Sequence, residues 1–234
     1  MSMSQPKISY KRHRFPPEII AHAVWLYARF NLSLREVEEM LLERGIDVSY
    51  ETVRRWMVKF GPKIAGNLRR HQAQAGDIWH LDEVRVEIAG VIFWLWRAVD
   101  QEGIVLDEIL QCKRDKRAAL LLLRKLIKRH GLPKRIVTDK LRSYSAAKRA
   151  LTPGLEHRSH KGLNNRAENS HLPFRKRERC MQGFRSPGGL QRYVSCHSAT
   201  RNQFFVPARR RSAIQIRYHR MEAFQAWAAA ACRA

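Results

Sequence analysis

The spacing of the apolar residues changes once along the chain, near Asp77, and no other feature constrains the fold as strongly. Before this point, apolar residues recur every three or four positions, which is typical of amphipathic helices. Over residues 77–88 they alternate with polar residues, and residues 91–100 are rich in aromatic and β-branched types, as β-strands are. The sequence therefore predicts an all-α N-terminal part followed by a part built around a sheet.

The N-terminal part is predicted to contain three short helices. A proline pair opens the first, a serine–glutamate capping box opens the second, and Ser49 caps the third, which is expected to end at Gly61. A tight link before a last helix with a basic outer side is typical of the helix-turn-helix, whose last helix enters the major groove of DNA. A small helical bundle with a solvated charged face is the alternative. The basic residues expected on the outer side are Arg54, Arg55 and Lys59, with Tyr50 on the buried side.

The second part is predicted to be a mixed α/β sandwich. Three strands joined by short turns give an antiparallel meander over residues 77–111. Strands interleaved with helices then give a mixed sheet flanked by helices. The elements predicted after the meander are a helix over 115–130, a strand over 135–138, a helix over 140–150, a brief strand over 155–158 and a long basic helix over 165–181.

The charge of the chain indicates its partner. With 45 Lys and Arg against 21 Asp and Glu, the formal net charge is +24, and a surplus of this size points to a polyanion, with nucleic acid the first candidate. No apolar stretch approaches the ~20 residues of a membrane span, so a membrane protein is not expected. Four scattered cysteines without a Cys-x-x-Cys pair indicate free thiols in a reducing cytoplasm and argue against a zinc ribbon.

Three acidic residues stand out in this basic chain. Asp82 lies in the first strand of the sheet, Asp139 follows the fourth strand, and Glu168 lies in the first turn of the long basic helix. If the two strands are neighbours and the helix packs across them, the three carboxylates converge. Hard oxygen ligands in that number suit Mg²⁺, and two such ions can activate a nucleophile and stabilise the leaving oxygen of a phosphodiester.

Each of these acids also has a structural interpretation. Asp82 could be an edge-strand charge, Asp139 a turn or helix cap, and Glu168 part of a capping box. Two further carboxylates are rivals, but Glu83 is expected on the opposite face of the strand from Asp82, and Asp100 is explained by the turn that follows it. The basic residues of the long helix would lie along a DNA backbone, and the candidates for this contact are Arg166, Arg175, Lys176 and Arg179.

Together these residues resemble a known family. The segments that carry the resemblance are HLDEV (80–84), WLWRAVDQEG (94–103), RDKRAA (114–119), VTDKLRSY (137–144), LNNRAENSH (163–171) and RKRER (175–179). They are similar to bacterial transposases of the insertion-sequence-six family over nearly the whole chain. The resemblance implies a ribonuclease-H-like catalytic domain with Asp82, Asp139 and Glu168 as the Asp-Asp-Glu triad. It also implies that the helix-turn-helix binds the terminal inverted repeats of the element and that transposition passes through a cointegrate.

The combined interpretation is a Mg²⁺-dependent DNA transposase with two metal ions, for which Mn²⁺ can substitute. Its expected partners are double-stranded DNA, at the element ends and at the target, and at least one further copy of the chain. Its expected location is the bacterial nucleoid.

The spacing between Asp139 and Glu168 is shorter than in many family members, so a non-catalytic DNA-binding regulator or inactive remnant is the alternative. A serine or tyrosine recombinase, the second enzymatic interpretation, would need a positioned nucleophilic hydroxyl. Tyr144 and Tyr193 are available, but no neighbouring residue marks either as a nucleophile. The predicted segments are a flexible basic arm (1–14), the helix-turn-helix domain (15–62), a linker (63–75), the catalytic domain (76–206) and a basic tail (207–234).

Overall fold

The computed structural model describes residues 8–71, 74–206 and 212–232. Predictions for 1–7 of the arm, 72–73 of the linker, and 207–211 and 233–234 of the tail lie outside these described residues. No helix in the described ranges is both long and apolar enough to cross a membrane. The elements are α1 (Pro17–Arg29), α2 (Leu34–Leu42), α3 (Tyr50–Arg70), β1 (Ile78–Ile88), β2 (Val91–Asp100), β3 (Val105–Gln111), α4 (Lys116–His130), β4 (Arg135–Thr138), α5 (Arg142–Leu151), β5 (Glu156–Ser159), α6 (Asn165–Cys180), α7 (Pro187–Phe204) and α8 (Ala213–Cys232).

Internal contacts divide the chain into two compact units. One unit combines residues 1–72 with residues 192–234 and is helical, whereas the other, residues 73–191, contains the sheet. The helix α7 begins in the sheet unit and ends in the helical unit. The compact sheet unit therefore ends earlier in the chain than the predicted catalytic domain, 76–206.

In the helical unit, the predicted caps of α2 and α3 are both present. Ser33 and Glu36 form a reciprocal capping box at the start of α2, and the Ser49 hydroxyl accepts the backbone N–H of Thr52 at the start of α3. Gly45, with a φ of +72°, reverses the chain after α2 in the left-handed conformation that glycine adopts without strain. Local sequence signals thus fix where both helices begin.

The predicted end of α3 at Gly61 is wrong. The helix continues to Arg70 with Pro62 inside it. Proline removes one backbone N–H and disfavours a helix interior, but the buried residues Phe60 and Ile64 lie one turn apart on the same face, and their packing outweighs this cost. The first part of the predicted linker, 63–70, is therefore helical.

Gly61 has a packing role instead of a helix-ending one. A Cβ atom at this position would lie 3.2 Å from Sδ of Met57 and 3.4 Å from Sγ of Cys196 in α7, so the missing side chain lets α7 approach α3 closely. Tyr50, predicted to be buried, is 42% exposed at the start of α3.

The described part of the N-terminal arm, which the sequence predicts to be flexible, packs against two helices. Ile8 is buried, and the Tyr10 hydroxyl donates a hydrogen bond of 2.6 Å to the backbone oxygen of Ala231 in α8. The Tyr10 ring also stacks on Phe60 with 4.6 Å between ring centres. These contacts fix residues 8–10 to α3 and α8.

The sheet has the strand order β3-β2-β1-β4-β5. β2 runs antiparallel to both β1 and β3, whereas β4 runs parallel to β1 and β5 runs parallel to β4. Ala89 and Gly90 both have positive φ angles, which a two-residue hairpin turn between twisted strands requires. Both the meander and the two later strands occur as predicted, so the predicted α/β class, a mixed sheet flanked by helices, is confirmed.

The core of the sheet unit lies between the sheet and the helices α4 and α5. Trp79 and Leu81 of β1 and Trp96 of β2 pack there against Leu122 of α4 and Tyr144 of α5. The helix α6 contacts β1 and β2. Alternate residues of β1 therefore face α4 and α5 on one side of the sheet and α6 on the other.

Candidate active site

Asp82 and Asp139 are brought together by the register between β1 and β4. The last pair of residues in this parallel register is Leu81 opposite Thr138, and the two aspartates are the next residue on each strand. Parallel neighbours end their pairing at the same edge of the sheet, so residues at equivalent positions lie side by side. Ligand oxygens of Asp82, Asp139 and Glu83 all lie within 4.8 Å of one another.

Asp82 is a partly buried acid with a perturbed pKa. Burial, with a further contribution from the charge of Asp139, raises the pKa of Asp82 from its ordinary value of 3.8 to about 6. Its Oδ2 lies 3.3 Å from Nε2 of His171 in α6. Burial, reinforced by the charge of Arg97, lowers the pKa of His171 well below its usual range, so this imidazole is neutral near pH 7.

Glu83 contributes to the acidic group but is already engaged by two partners. Its Oε2 accepts a hydrogen bond of 2.9 Å from the Tyr144 hydroxyl, and its Oε1 accepts one of 2.6 Å from Nε of Arg114. Burial raises its pKa to about 7 although the Arg114 contact opposes that change. Tyr144 belongs to α5 and His171 to α6, so the contacts place Glu83 and Asp82 on opposite faces of β1, as alternation predicts.

Asp139 has one oxygen in a turn and one oxygen facing the site. Oδ1 accepts the backbone N–H of Leu141 at 2.9 Å, which is the turn role anticipated for this residue. Oδ2 lies 3.5 Å from Nη2 of Arg114. The backbone oxygen of Asp139 accepts hydrogen bonds from the hydroxyls of Thr138 and Ser159 at 2.7 and 2.8 Å. The structural and the functional interpretation of Asp139 are therefore compatible.

Glu168 lies outside this close group of described acids. It is exposed in the first turn of α6, which begins after Asn164 without a side-chain cap, so the capping-box interpretation does not hold. Asn164, Glu168 and His171 share one helix face, because they are spaced by four and three residues. The Asn164 amide donates a buried hydrogen bond of 2.8 Å to the backbone oxygen of Leu81, and His171 lies against Asp82. The turn that carries Glu168 is thus fixed beside Asp82.

The rival carboxylate Asp100 serves the turn that follows β2. Its Oδ1 accepts the backbone N–H groups of Glu102 and Ile104 at 2.9 and 3.0 Å. Asp100 pairs across the sheet with Trp79, three residues before Asp82. The hydrogen bonds to the turn explain the burial of Asp100.

The candidate tyrosine nucleophiles are both buried. Tyr144 is fully buried, and burial raises its pKa well above the usual range, which opposes formation of a phenolate. Tyr193 packs against Tyr27 and His197 in the helical unit. The site geometry therefore does not favour a tyrosine recombinase.

The predicted DNA-contacting residues are mostly exposed. Glu51 pairs with both Arg54 and Arg55 at the start of α3, at 2.6 and 3.4 Å. Arg175 is half-buried, where it pairs with Glu178 and donates to the backbone oxygen of Arg85. The predicted residues that are exposed are Arg54, Arg55, Lys59, Arg166, Lys176 and Arg179.

The carboxylate group fits a hard divalent cation. Its donors are oxygens, the ligand type that Mg²⁺ prefers. The raised pKa of Asp82 reports the cost of holding a negative charge that is buried first of all, and that also lies near the charge of Asp139. Asp82 and Asp139 each offer an oxygen for such an ion, whereas both oxygens of Glu83 already accept hydrogen bonds.

Comparison with known proteins identifies the family. A family model described as a DDE domain, DDE_Tnp_IS240, matches residues 76–205. Two Staphylococcus aureus transposases, those of the insertion sequence-like element IS431mec and of the insertion sequence element IS257 in transposon Tn4003, are each 30% identical to this chain over 195 residues. The matches cover 81% of this chain and 87% of each transposase. The chain belongs to the insertion-sequence-six family of transposases. The resemblance inferred from the sequence motifs is thereby confirmed.

Two solved structures are also similar to this transposase family member. One is a simian T-cell lymphotropic virus intasome in complex with PP2A regulatory subunit B56 gamma, which matches 62% of this chain and 56% of its own at a TM-score of 0.46 and 16% identity. The other is the HTLV-2 integrase catalytic core domain in complex with magnesium in a dimeric form, which matches 60% of this chain and 95% of its own at a TM-score of 0.44 and 19% identity.

The sequence of this family member did not reveal three residues at the site. Arg114, His171 and Tyr144 contact the acids from three different elements or loops, and no local pattern marks such contacts. All three residues do fall within the family-like segments 114–119, 137–144 and 163–171, and this position was the signal that could have found them.

Proposed function

We propose that this protein is a metal-dependent DNA transposase that cleaves strands at the ends of its element and transfers them to target DNA through a cointegrate. The observation that carries the proposal is the parallel register of β1 and β4, which puts Asp82 and Asp139 side by side. Membership of a transposase family supports the same class of reaction.

The proposed catalytic and metal-binding acids are Asp82, Asp139 and Glu168. Glu168 is supported as the third acid by the docking of the first turn of α6 beside Asp82. Glu83 is disfavoured because both of its oxygens already accept hydrogen bonds.

The proposed reaction has two phosphoryl-transfer steps without a covalent enzyme intermediate. Water attacks a phosphodiester at the element end and frees a 3′-hydroxyl, which then attacks target DNA in line. When bound, two Mg²⁺ ions, or Mn²⁺ in their place, supply activation of the attacking oxygen and charge stabilisation at the leaving oxygen. Asp82 and Asp139 hold their carboxylates on the rigid end of the sheet, and the neutral His171 adds no competing positive charge beside Asp82.

The proposed DNA contacts lie on two helices. α2 and α3 would form a helix-turn-helix that binds the terminal inverted repeats, with the exposed basic side of α3 toward DNA. The basic face of α6 would follow the DNA backbone next to the acids. The proposed contacts are Arg54, Arg55 and Lys59 in α3, and Arg166, Arg175, Lys176 and Arg179 in α6.

The proposed assembly contains two or more copies of the chain. Two element ends have to be held together for transfer to one target, and a pair of identical subunits does this with one binding surface each. Its DNA substrates would place the protein at the bacterial nucleoid.

The substitution Glu168→Gln tests the proposal on a plasmid that carries the element ends. Gln keeps the size of the side chain but lacks the charge that a metal ligand needs, so we expect Mg²⁺-dependent cleavage to fall at least ~100-fold. End binding, measured by gel mobility shift, should stay within about twofold.

Glu87→Gln is the matched control, because Glu87 is an exposed acid on β1 outside the acidic group. It should cleave like the unaltered protein. Full cleavage by Glu168→Gln would exclude Glu168 as the third acid. End binding without any Mg²⁺-dependent cleavage by the unaltered protein would instead support the regulator or inactive remnant.

A further inference from the structure

Arg114 connects the buried core of the sheet unit to the acidic group. It lies in the loop before α4, and its Nε donates a hydrogen bond of 2.6 Å to Oε1 of Glu83. Its Nη2 lies 3.5 Å from Oδ2 of Asp139, and its guanidinium lies 5.0 Å from the ring centre of Trp94. The side chain is 38% exposed, so its charge is held in place on one side and open to solvent on the other.

The partner that fixes Arg114 is itself rigid. The Glu83 side chain is fully buried, and its second oxygen accepts the Tyr144 hydroxyl at 2.9 Å. Tyr144 is fully buried, with its ring edge-on to Trp96 at 5.3 Å between ring centres. A buried carboxylate of this kind needs its partners, because losing one leaves an uncompensated group. The chain of contacts therefore runs from Tyr144 through Glu83 and Arg114 to Asp139.

The charge of Arg114 faces the same oxygen that a metal ion would use. Oδ1 of Asp139 is occupied by the backbone N–H of Leu141, so Oδ2 is the oxygen that faces the site, and it is the one nearest Arg114. A guanidinium cannot lose its charge in a protein, and it repels any cation that approaches the carboxylate it contacts.

We infer that Arg114 is a positioning residue that Glu83 and Tyr144 hold against Asp139, where it offsets part of the negative charge of the acidic group without metal and lowers the affinity of the site for divalent cations. This inference rests on the proposed metal-dependent function. It gives Glu83 a role as a support for Arg114, distinct from that of a metal ligand.

The test is a titration of the whole chain with Mn²⁺ in the absence of DNA. Electron paramagnetic resonance measures the concentration of free Mn²⁺ at each step. Arg114→Gln removes the competing charge, so we expect it to bind Mn²⁺ on the order of tenfold more tightly than the unaltered protein. Arg114→Lys keeps the charge and should restore the affinity to within about threefold. If Arg114 only supported the fold, Arg114→Gln would weaken Mn²⁺ binding, a change opposite to the one we expect.

Lys125→Gln is the matched control, because it removes one positive charge at an ion pair with Asp107, away from the acidic group. It should leave Mn²⁺ affinity unchanged. A second variant, Tyr144→Phe, loosens Glu83 while keeping every charge, and we expect it to tighten Mn²⁺ binding by about two- to threefold.

The outcomes separate this inference from the proposed function. Unchanged or weaker Mn²⁺ binding by Arg114→Gln overturns the inference while leaving the metal site in place. If that variant does not fold, unchanged or weaker binding by Tyr144→Phe overturns it instead. If the unaltered protein binds Mn²⁺ no better than Asp139→Asn does, the proposed metal site itself is wrong.

Discussion

At the scale of single residues, Asp82 is one of two acids with raised pKa values, Glu83 being the other, that determine how the site responds to pH. The Asp82 carboxylate is mostly buried and close to a second acid, and both effects favour its protonated form. A group whose pKa is higher in the folded than in the unfolded chain stabilises the fold at low pH. This stabilisation is fully present below the unfolded pKa and is lost as the pH rises through the folded pKa.

We therefore predict that, without metal, the free energy of unfolding of the sheet unit falls between about pH 4 and pH 7. The pKa of Asp82 rises from 3.8 to about 6 on folding, so its share is on the order of 3 kcal/mol. Urea unfolding at several pH values in this range measures the free energy of unfolding. Asp82→Asn should reduce the pH dependence, and Mg²⁺ should restore stability near pH 7 in the unaltered protein only. An equally steep pH dependence in Asp82→Asn would contradict the burial of its charge.

The sequence predicted some site residues and missed others for a physical reason. The positions of Asp82 in a strand and of Asp139 at a strand end were predictable because they follow from local patterns, whereas the pairing of the two strands entered the prediction only as a condition. The partnership of Arg114 with Glu83 depends on how a loop, a strand and a helix meet in space. No spacing pattern in the sequence indicates that these residues are in contact.

At the scale of elements, three contacts hold the N-terminal half of α6 against the sheet. Asn164 binds the backbone of β1, His171 lies beside Asp82, and the buried Arg97 donates to the backbone oxygen of Ser170. Arg97 is paired with the buried Glu108 of β3 at 2.5 Å. These contacts make the position of the first turn of α6, and hence of Glu168, dependent on β1 and β2.

Asn164→Ala tests this anchoring. The change removes a buried hydrogen bond and leaves the Leu81 oxygen without that donor, so we expect a loss of roughly 1–2 kcal/mol in the free energy of unfolding. DNA cleavage should fall more than DNA binding, because Glu168 loses its fixed position. Asn165→Ala, at the exposed neighbouring position, is the control in both assays. Equal effects of the two substitutions would show that the bond to β1 has no such role.

The third helix shows the limit of local rules at this scale. A Gly-Pro pair ordinarily marks a helix end, yet α3 continues for two further turns because Ile64 and Leu68 are buried in the helical unit. Its N-terminal cap at Ser49, by contrast, depends on adjacent residues only and was predictable. Signals for starting a helix are local here, whereas its length is decided by packing.

At the scale of the whole molecule, the compact units do not follow the family match. The DDE domain match extends to residue 205, but residues from 192 onward group with the N-terminal helices. Within that unit, Arg69 of α3 donates to Ser195 of α7, and Asn67 binds the backbone of Ala230 in α8. A sequence pattern reveals which segments are related to other proteins, but these long-range bonds decide which segments pack together.

The formal net charge of +24 leads to a prediction about DNA binding by the whole molecule. Each phosphate that is neutralised releases counterions, so the logarithm of the DNA affinity should fall linearly with the logarithm of the salt concentration. Replacing Arg54 and Arg55 together by Gln should weaken binding to the element ends and reduce that slope by about two. Fluorescence anisotropy at several salt concentrations measures both quantities.

The control for this prediction is Lys134→Gln, which removes one exposed charge from the sheet unit at an ion pair with Asp77. It should leave the slope within error of that of the unaltered protein. Circular dichroism of the double variant should be unchanged, because both arginines are exposed and Val53 and Trp56 carry the packing of that part of α3. A salt slope that the double substitution leaves unaltered would place the DNA-binding surface elsewhere, because counterion release depends only on which cations meet phosphate.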